Sequence, residues 1–380
     1  MTRPAIICFA GDDWDGNPHS RHHIMRRLAG RWDVLFVEGL AMRTLAVGGG
    51  GEARRVMRKL RARAGLRTVA DGLHVLRPLP IPPAGRVGRA VQLAALRRQL
   101  LVARRGAGIV GPALSWFSQP MAAPLRGRIG DRASVLYYQD RYDAFSHVDG
   151  PLLRRLVAEL ARGCDLAVAS SEDLAGELRD LGAKPVLVRH GVELERFAES
   201  PPPPEDLAGL ERPLVGFVGL LDDYLDFDCL IAAADALEHG TLVLVGGANV
   251  DVSALERHPR VRILGRRPYD AIPSYLGAFD CCLSPFAITR LTVGVNPIKL
   301  REYLAAGRPV VSTPLPEVLP YRDVVSVADG PAAFAAAVRA IVRPGADPPA
   351  ARVARRARVA GESWDAVAAR IDELLRPLLV

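Results

Sequence analysis

Lysine is nearly missing from this 380-residue chain: Lys59, Lys184 and Lys299 are the only three among fifty basic residues. An arginine-favouring, GC-rich coding background accounts for that preference. It does not account for a second scarcity, between Ala53 and Gly130, where sixteen Arg or Lys stand against one acid, Asp71. The net charge of +8 therefore sits in one part of the chain, a distribution that suits an anionic partner, either a membrane surface or a nucleic acid. Cysteine is also sparse. Cys8, Cys164, Cys229, Cys281 and Cys282 are odd in number and show no C-x-x-C spacing, which argues against a disulfide framework or a zinc site and for small buried residues. No run of about 18 apolar residues exists, so no membrane-spanning helix is expected. The start, "MTRPAIICFAGDD", has a six-residue apolar run before two aspartates and lacks the apolar stretch of a secretory leader. The expected location is the cytoplasm, with the inner face of the membrane as its extension.

What is present is an α/β pattern. The runs "AIICFA", "DVLFVEG", "LHVLRPL", "SVLYYQD", "DLAVASS" and "PVLVRHG" read as strands alternating with helices, which implies a parallel sheet covered on both faces. After "AESPPPPEDLAGLERP" the alternation restarts with "PLVGFVG", "TLVLVGG", "VRILGRR", "CCLSPF", "PVVSTP" and "VVSVAD". Four consecutive prolines continue neither a helix nor a central strand, so they mark a linker. The expected layout is one Rossmann-like domain over 1–200, the linker over 201–212 and a second such domain over 213–362. A last helix over 363–380, capped by Ser363, carries an apolar stripe from Trp364 to Leu378 that is expected to pack back across the hinge.

The segment "NPIKLREYLAAGRPVVSTP", Asn296 to Pro314, places an N-cap (Asn296), a first-turn proline (Pro297) and a C-terminal stop (Gly307) around a short helix. Lys299 lies in the first turn, where a cation opposes the helix dipole unless an anion offsets it. Glu302 is three residues on and shares its face, about one turn deeper. A diphosphate would answer the lysine, and the two vicinal hydroxyls of a ribose would answer the carboxylate. The plainer reading of the same spacing is an i,i+3 surface ion pair.

With "VRHGVELERF", "LGRRPYDAIPSYLGAFDCCLSPF" and the closing "SWDAVAARIDELL", this segment resembles bacterial glycosyltransferases of the family 4 kind, of GT-B architecture, nearest their teichuronic-acid and cell-wall branch. The resemblance implies two Rossmann-like domains facing a cleft. It also implies retaining transfer of a sugar from a nucleoside-diphosphate sugar to a hydroxyl, with no obligatory metal. Glu302 falls on the family's ribose-holding glutamate, with Asn296, Pro297, Lys299, Gly219 and Arg266 as the other donor-side candidates. Two positions depart from the pattern. Gly294 stands where the family has its first glutamate, and "GLLDDYLDFD" replaces the usual Arg and Lys after the first strand of the second domain. Lys299 and Arg266 are then left to meet the phosphates, while Asp226 and Asp228 are read as a helix start rather than a metal cluster.

In the first half, "FAGDDWDGNPHSRHH" follows the first strand. Gly11, Asp12, Trp14, His19 and Arg21 are the acceptor-side candidates, with Asp13, His190 and Asp140 for proton transfer and Asp143 behind them; His22 and His23 are read as structural. The basic segments 53–67 and 86–105 fit amphipathic helices on an anionic membrane. A lipid-linked acceptor from the cell envelope would suit them, and a secondary metabolite is the other acceptor class. They lack interleaved aromatics, so no nucleic-acid partner is expected, although a non-catalytic basic binding protein stays open, as does a sugar-nucleotide epimerase. "AIICFAGDDWDG" lacks G-x-G-x-x-G, which disfavours a nicotinamide enzyme.

Overall fold

A computed structural model describes residues 3–39, 64–79, 85–146, 148–199 and 201–379. The chain divides into two compact units, Met1–Arg189 with Val367–Val380, and His190–Ala366.

The first unit is built on a sheet of β1 (Ala5–Phe9), β2 (Asp33–Val37), β3 (Gly65–Ala70), β4 (Leu73–Arg77), β5 (Ala113–Phe117), β6 (Asp131–Tyr138), β7 (Leu166–Ala169) and β8 (Pro185–Leu187). Their order is β3-β4-β2-β1-β5-β6-β7-β8, parallel except for the β3–β4 pair. β1 and β5 are buried at every residue, as central strands covered on both faces must be. The strand pattern "ALSWF" of β5 is interrupted by Ser115, which hides it in the sequence; burial is tolerated because the hydroxyl donates to Asp131 Oδ2 at 2.7 Å. β3 corrects the helical reading of 53–67 at its end. Residues 65–67 pair antiparallel with β4, and the Arg67 guanidinium reaches Asp15 at 2.7 Å; residues 53–63 lie outside the described residues. The other basic segment, 86–105, is helical within Gly85–Gly106.

The second unit carries β9 (Leu214–Val218), β10 (Thr241–Val245), β11 (Val261–Gly265), β12 (Cys281–Ser284), β13 (Val310–Ser312) and β14 (Ser326–Val327), in the order β11-β10-β9-β12-β13-β14 and all parallel. Residues 190–199 and 201–212 pack with this unit: Val192, Phe197 and Leu207 lie in its core, and Asp206 holds Arg267 at 2.7 Å. The helix Trp364–Leu375 begins as the sequence suggests, with Ser363 Oγ accepting from the Ala366 N–H at 3.0 Å. Within the first unit, Asp372 of that helix accepts from the Trp32 indole N–H at 2.7 Å.

Strand order marks a candidate ligand site in each unit. Successive strands run outward on one side from β1 and from β9, then return on the other side at β5 and β12. The crevices beyond the carboxyl ends of β1/β5 and of β9/β12 are therefore the two topological switch points, where open α/β sheets bind ligands.

Candidate functional site

At the first switch point the chain leaves β1 through Gly11, whose φ of 80° is left-handed and favours glycine. Asp12 forms an ion pair with Arg21, which the helix Ser20–Leu28 supplies and which is 8% exposed. Asp140, just past β6, completes the group: burial raises its carboxyl to about 6 while Arg21 pulls the other way. Asp12, Arg21 and Asp140 thus form one charged cluster. A carboxyl titrating near 6 can take and return a proton near neutral pH.

Other first-half candidates have structural duties. Trp14 is buried, not displayed: its ring meets Phe36 edge-on at 4.9 Å, and its backbone N–H donates to the buried Glu38 at 2.7 Å. Asp13 is exposed, and its carbonyl oxygen accepts from Gly16 N–H at 3.0 Å. Asp143 is tied to Arg154 at 3.0 Å. His19 is exposed, and its backbone N–H donates to His22 Nδ1 at 3.0 Å. His22 therefore carries its proton on Nε2, which faces the Asp13 carbonyl at 3.3 Å. Burial, and then the Arg21 charge, pulls His22 down to about 3. The sign follows: below pH 6.5 the unfolded chain binds a proton that the fold refuses, so stability falls between about 6.5 and 3. We expect acidification to pH 5 to destabilise the native first unit by about 2 kcal/mol through this group. Thermal unfolding of native protein and His22→Gln across that range checks it, since the variant should lose less.

At the second switch point the helix Ile298–Ala305 presents its N-terminus. Asn296 is not its N-cap. Pro297 holds that position, and the Asn296 side chain is used elsewhere, accepting from the His190 backbone N–H at 3.2 Å and donating to the buried Glu317 at 2.7 Å. His190 is buried, with Nδ1 2.9 Å from the Asn296 carbonyl and its ring against Trp364. Lys299 and Glu302 do meet, at 2.7 Å. The pair is lopsided: the Glu302 side chain is 3% exposed against 35% for Lys299. A buried carboxylate with an accessible ammonium above it is not the solvated pair that spacing alone allowed.

In the same unit, the loops after β9 and β10 are laced together. Leu221 N–H donates to the Gly247 carbonyl at 2.8 Å, and Asn249 N–H to that of Leu221 at 2.9 Å. Gly219 and Gly246 approach so closely that no side chain fits between them, and Arg266 lies over Gly247. The acidic segment is occupied: Asp226 caps its helix through the Cys229 N–H at 2.9 Å, and Asp222 holds Asn249 at 2.8 Å. Among the described residues no three His, Cys, Asp or Glu side chains converge as a metal site. Sequence reasoning overlooked Glu193, Arg196 and Tyr269. The Lys299 ammonium lies 5.7 Å and the Arg196 guanidinium 5.2 Å from the Tyr269 ring centroid. They lie within the quoted stretches "VRHGVELERF" and "LGRRPYDAIPSY", but their convergence on Lys299 is tertiary and does not show in either stretch.

Comparison with known proteins bears on both units. Residues 212–343 match the family model described as glycosyl transferases group 1. A Bacillus subtilis (strain 168) protein, named "Putative teichuronic acid biosynthesis glycosyltransferase TuaH", is 36% identical over 135 residues, and the match spans 34% of each protein. The whole chain is similar in fold to sucrose-phosphate synthase from Thermosynechococcus elongatus, with a TM-score of 0.73, 16% identity and 99% of both chains covered. It is similar also to Anabaena Alr3699/HepE solved with UDP and glucose (TM-score 0.69, 15% identity, 99% of both chains). A third likeness is to an Escherichia coli trehalose-6-phosphate protein bound with UDP-2-fluoro glucose (TM-score 0.69, 11% identity, 98% of this chain and 99% of that one). Residues 212–343 thus match the glycosyl transferases group 1 model, within a chain that has the two-domain GT-B fold.

Proposed function

We propose that the chain is a retaining glycosyltransferase that moves a sugar from a nucleoside-diphosphate sugar to a hydroxyl of a cell-envelope precursor. The observation that carries this is the buried Glu302 carboxylate paired with the accessible Lys299 at the β9/β12 switch point of a group 1 domain. Glu302 Oε2 accepts from Lys299, and its other oxygen is available to a ribose hydroxyl. Lys299 and Arg266 meet the diphosphate as charges rather than through a metal ion. In the transfer the bond from the anomeric carbon to the phosphate oxygen breaks and one to the acceptor oxygen forms on the same face. The acceptor proton passes to the departing phosphate, so a dedicated base is not required, and Asp140 is the assisting group on the acceptor side.

The test is release of nucleoside diphosphate from UDP-, GDP-, dTDP- and ADP-sugars with and without a polyprenyl-phosphate-linked sugar acceptor, in EDTA. Acceptor-dependent release with retained anomeric configuration is expected. Release or rearrangement that ignores the acceptor would support an epimerase instead.

Location at an anionic membrane is part of the same proposal. Val91, Arg98, Val102 and Arg105 share one face of the helix Gly85–Gly106, with Val91 and Val102 more than half exposed, and the helix contains no acid. The protein should co-sediment with phosphatidylglycerol vesicles and not with phosphatidylcholine ones. Arg98→Glu with Arg105→Glu should leave it in the supernatant, and equal binding to both lipids would contradict the assignment.

A further inference from the structure

We infer that Tyr269 is a positioning residue for Lys299, an aromatic plate that keeps the ammonium in place for the donor's diphosphate when Glu302 turns to the ribose. The inference rests on the donor-site reading above and extends it to a residue not named among the donor-side candidates.

The problem it solves is a conflict at Glu302. Lys299 has a long side chain, is one-third exposed and sits in a helix first turn where the backbone dipole repels it. Its ion-pair partner is Glu302, at 2.7 Å. If Glu302 also receives ribose hydroxyls, its charge is shared and its hold on the lysine weakens at the moment when the diphosphate needs a fixed cation. The ring of Tyr269, 5.7 Å from the ammonium, is a second holder that the nucleoside does not compete for.

The ring is itself fixed by groups other than Lys299. Phe197 meets it edge-on at 6.0 Å, and the Arg196 guanidinium lies 5.2 Å from its centroid. Its phenol lies close to the Glu193 carboxylate, which is 3.1 Å from Arg196 Nε. Burial, with the Glu302 and Glu193 carboxylates nearby, holds the phenol protonated far above its usual range, so the ring stays neutral. Pro268 sets the entry to the short turn Tyr269–Ala271. A plate anchored by Phe197, Arg196 and Glu193 gives a mobile lysine one place to rest.

The test uses the full-length chain, whichever of UDP, GDP, dTDP and ADP it binds, and the parent nucleoside as a competitor. Tyr269→Leu should weaken the nucleoside diphosphate about two- to fivefold while leaving the nucleoside unchanged. Tyr269→Phe, which keeps the ring and drops the hydroxyl, should restore affinity to near the native value. In a Lys299→Ala background, Tyr269→Leu should have no further effect. Equal loss for nucleoside and diphosphate would mark Tyr269 as merely structural, and a Phe variant as weak as Leu would assign the effect to the phenol; either overturns the inference. So would unchanged diphosphate binding in Tyr269→Leu. Failure of all four diphosphates to bind the native chain would instead remove the donor-site reading beneath it.

Discussion

Gly246→Ala should destabilise the second unit by about 3 kcal/mol, lowering its melting temperature by roughly 6–12 °C. A Cβ at this position would stand 1.6 Å from the Gly219 carbonyl oxygen and 2.7 Å from its carbon. Both are backbone atoms, so no side chain can swing aside. Relief requires the loop after β9 to separate from the loop after β10, yet the two are joined through Leu221 to Gly247 and Asn249 to Leu221. The methyl group therefore disrupts these hydrogen bonds as well as packing. Gly247→Ala is the control. The three atoms nearest its Cβ all belong to the exposed Arg266 side chain, Nε closest at 2.7 Å, and that side chain can move into solvent. We expect less than about 1 kcal/mol there. Calorimetry of the two variants checks both; equal melting temperatures would mean that the loops part without penalty.

Glu302→Ala should weaken nucleoside-diphosphate binding ten- to hundredfold, about 1.5–3 kcal/mol, the range for hydrogen bonds made to a charged group. Two losses combine. The ribose hydroxyls lose a buried acceptor, and Lys299 loses the carboxylate that fixes it at 2.7 Å. Glu302→Gln should fall between the two, since the amide keeps an oxygen acceptor without the charge. Stability of the unliganded fold should change far less, because Lys299 is one-third exposed and water can take over its ammonium. Isothermal titration of the three proteins, paired with their melting temperatures, separates loss of the site from loss of the fold.

The fold was legible where burial on both faces makes a strand uniformly apolar. "AIICFA", "TLVLVGG" and "CCLSPF" announce central parallel strands because parallel sheets admit few polar residues. β5 escaped because a single serine, satisfied by Asp131, breaks that signature, and β3 escaped because an exposed edge strand need not be apolar. Caps read directly from chemistry where one residue decides them, as at Ser363 and Asp226. Asn296 failed the same reasoning because tertiary partners, His190 and Glu317, outbid a local cap. The Lys299–Glu302 contact follows from helical spacing, but its lopsided burial does not. Trp14 followed a glycine turn and looked available, whereas the core beneath it, Phe36 and Glu38, comes from β2 and the residue after it, which no local pattern connects. Tyr269, Arg196 and Glu193 sit in quoted motifs, but their convergence is hidden for the same reason.

The central claim is that the β9/β12 switch point of the second unit holds a nucleoside diphosphate. Thermal unfolding of the native chain with UDP, GDP, dTDP or ADP, each with and without its sugar, tests it most directly. The account predicts that one diphosphate at a hundred times its dissociation constant stabilises the native protein by about 2.7 kcal/mol and leaves Glu302→Ala nearly unmoved. Stabilisation of Glu302→Ala equal to that of the native chain, or none by any nucleotide in either protein, would contradict it.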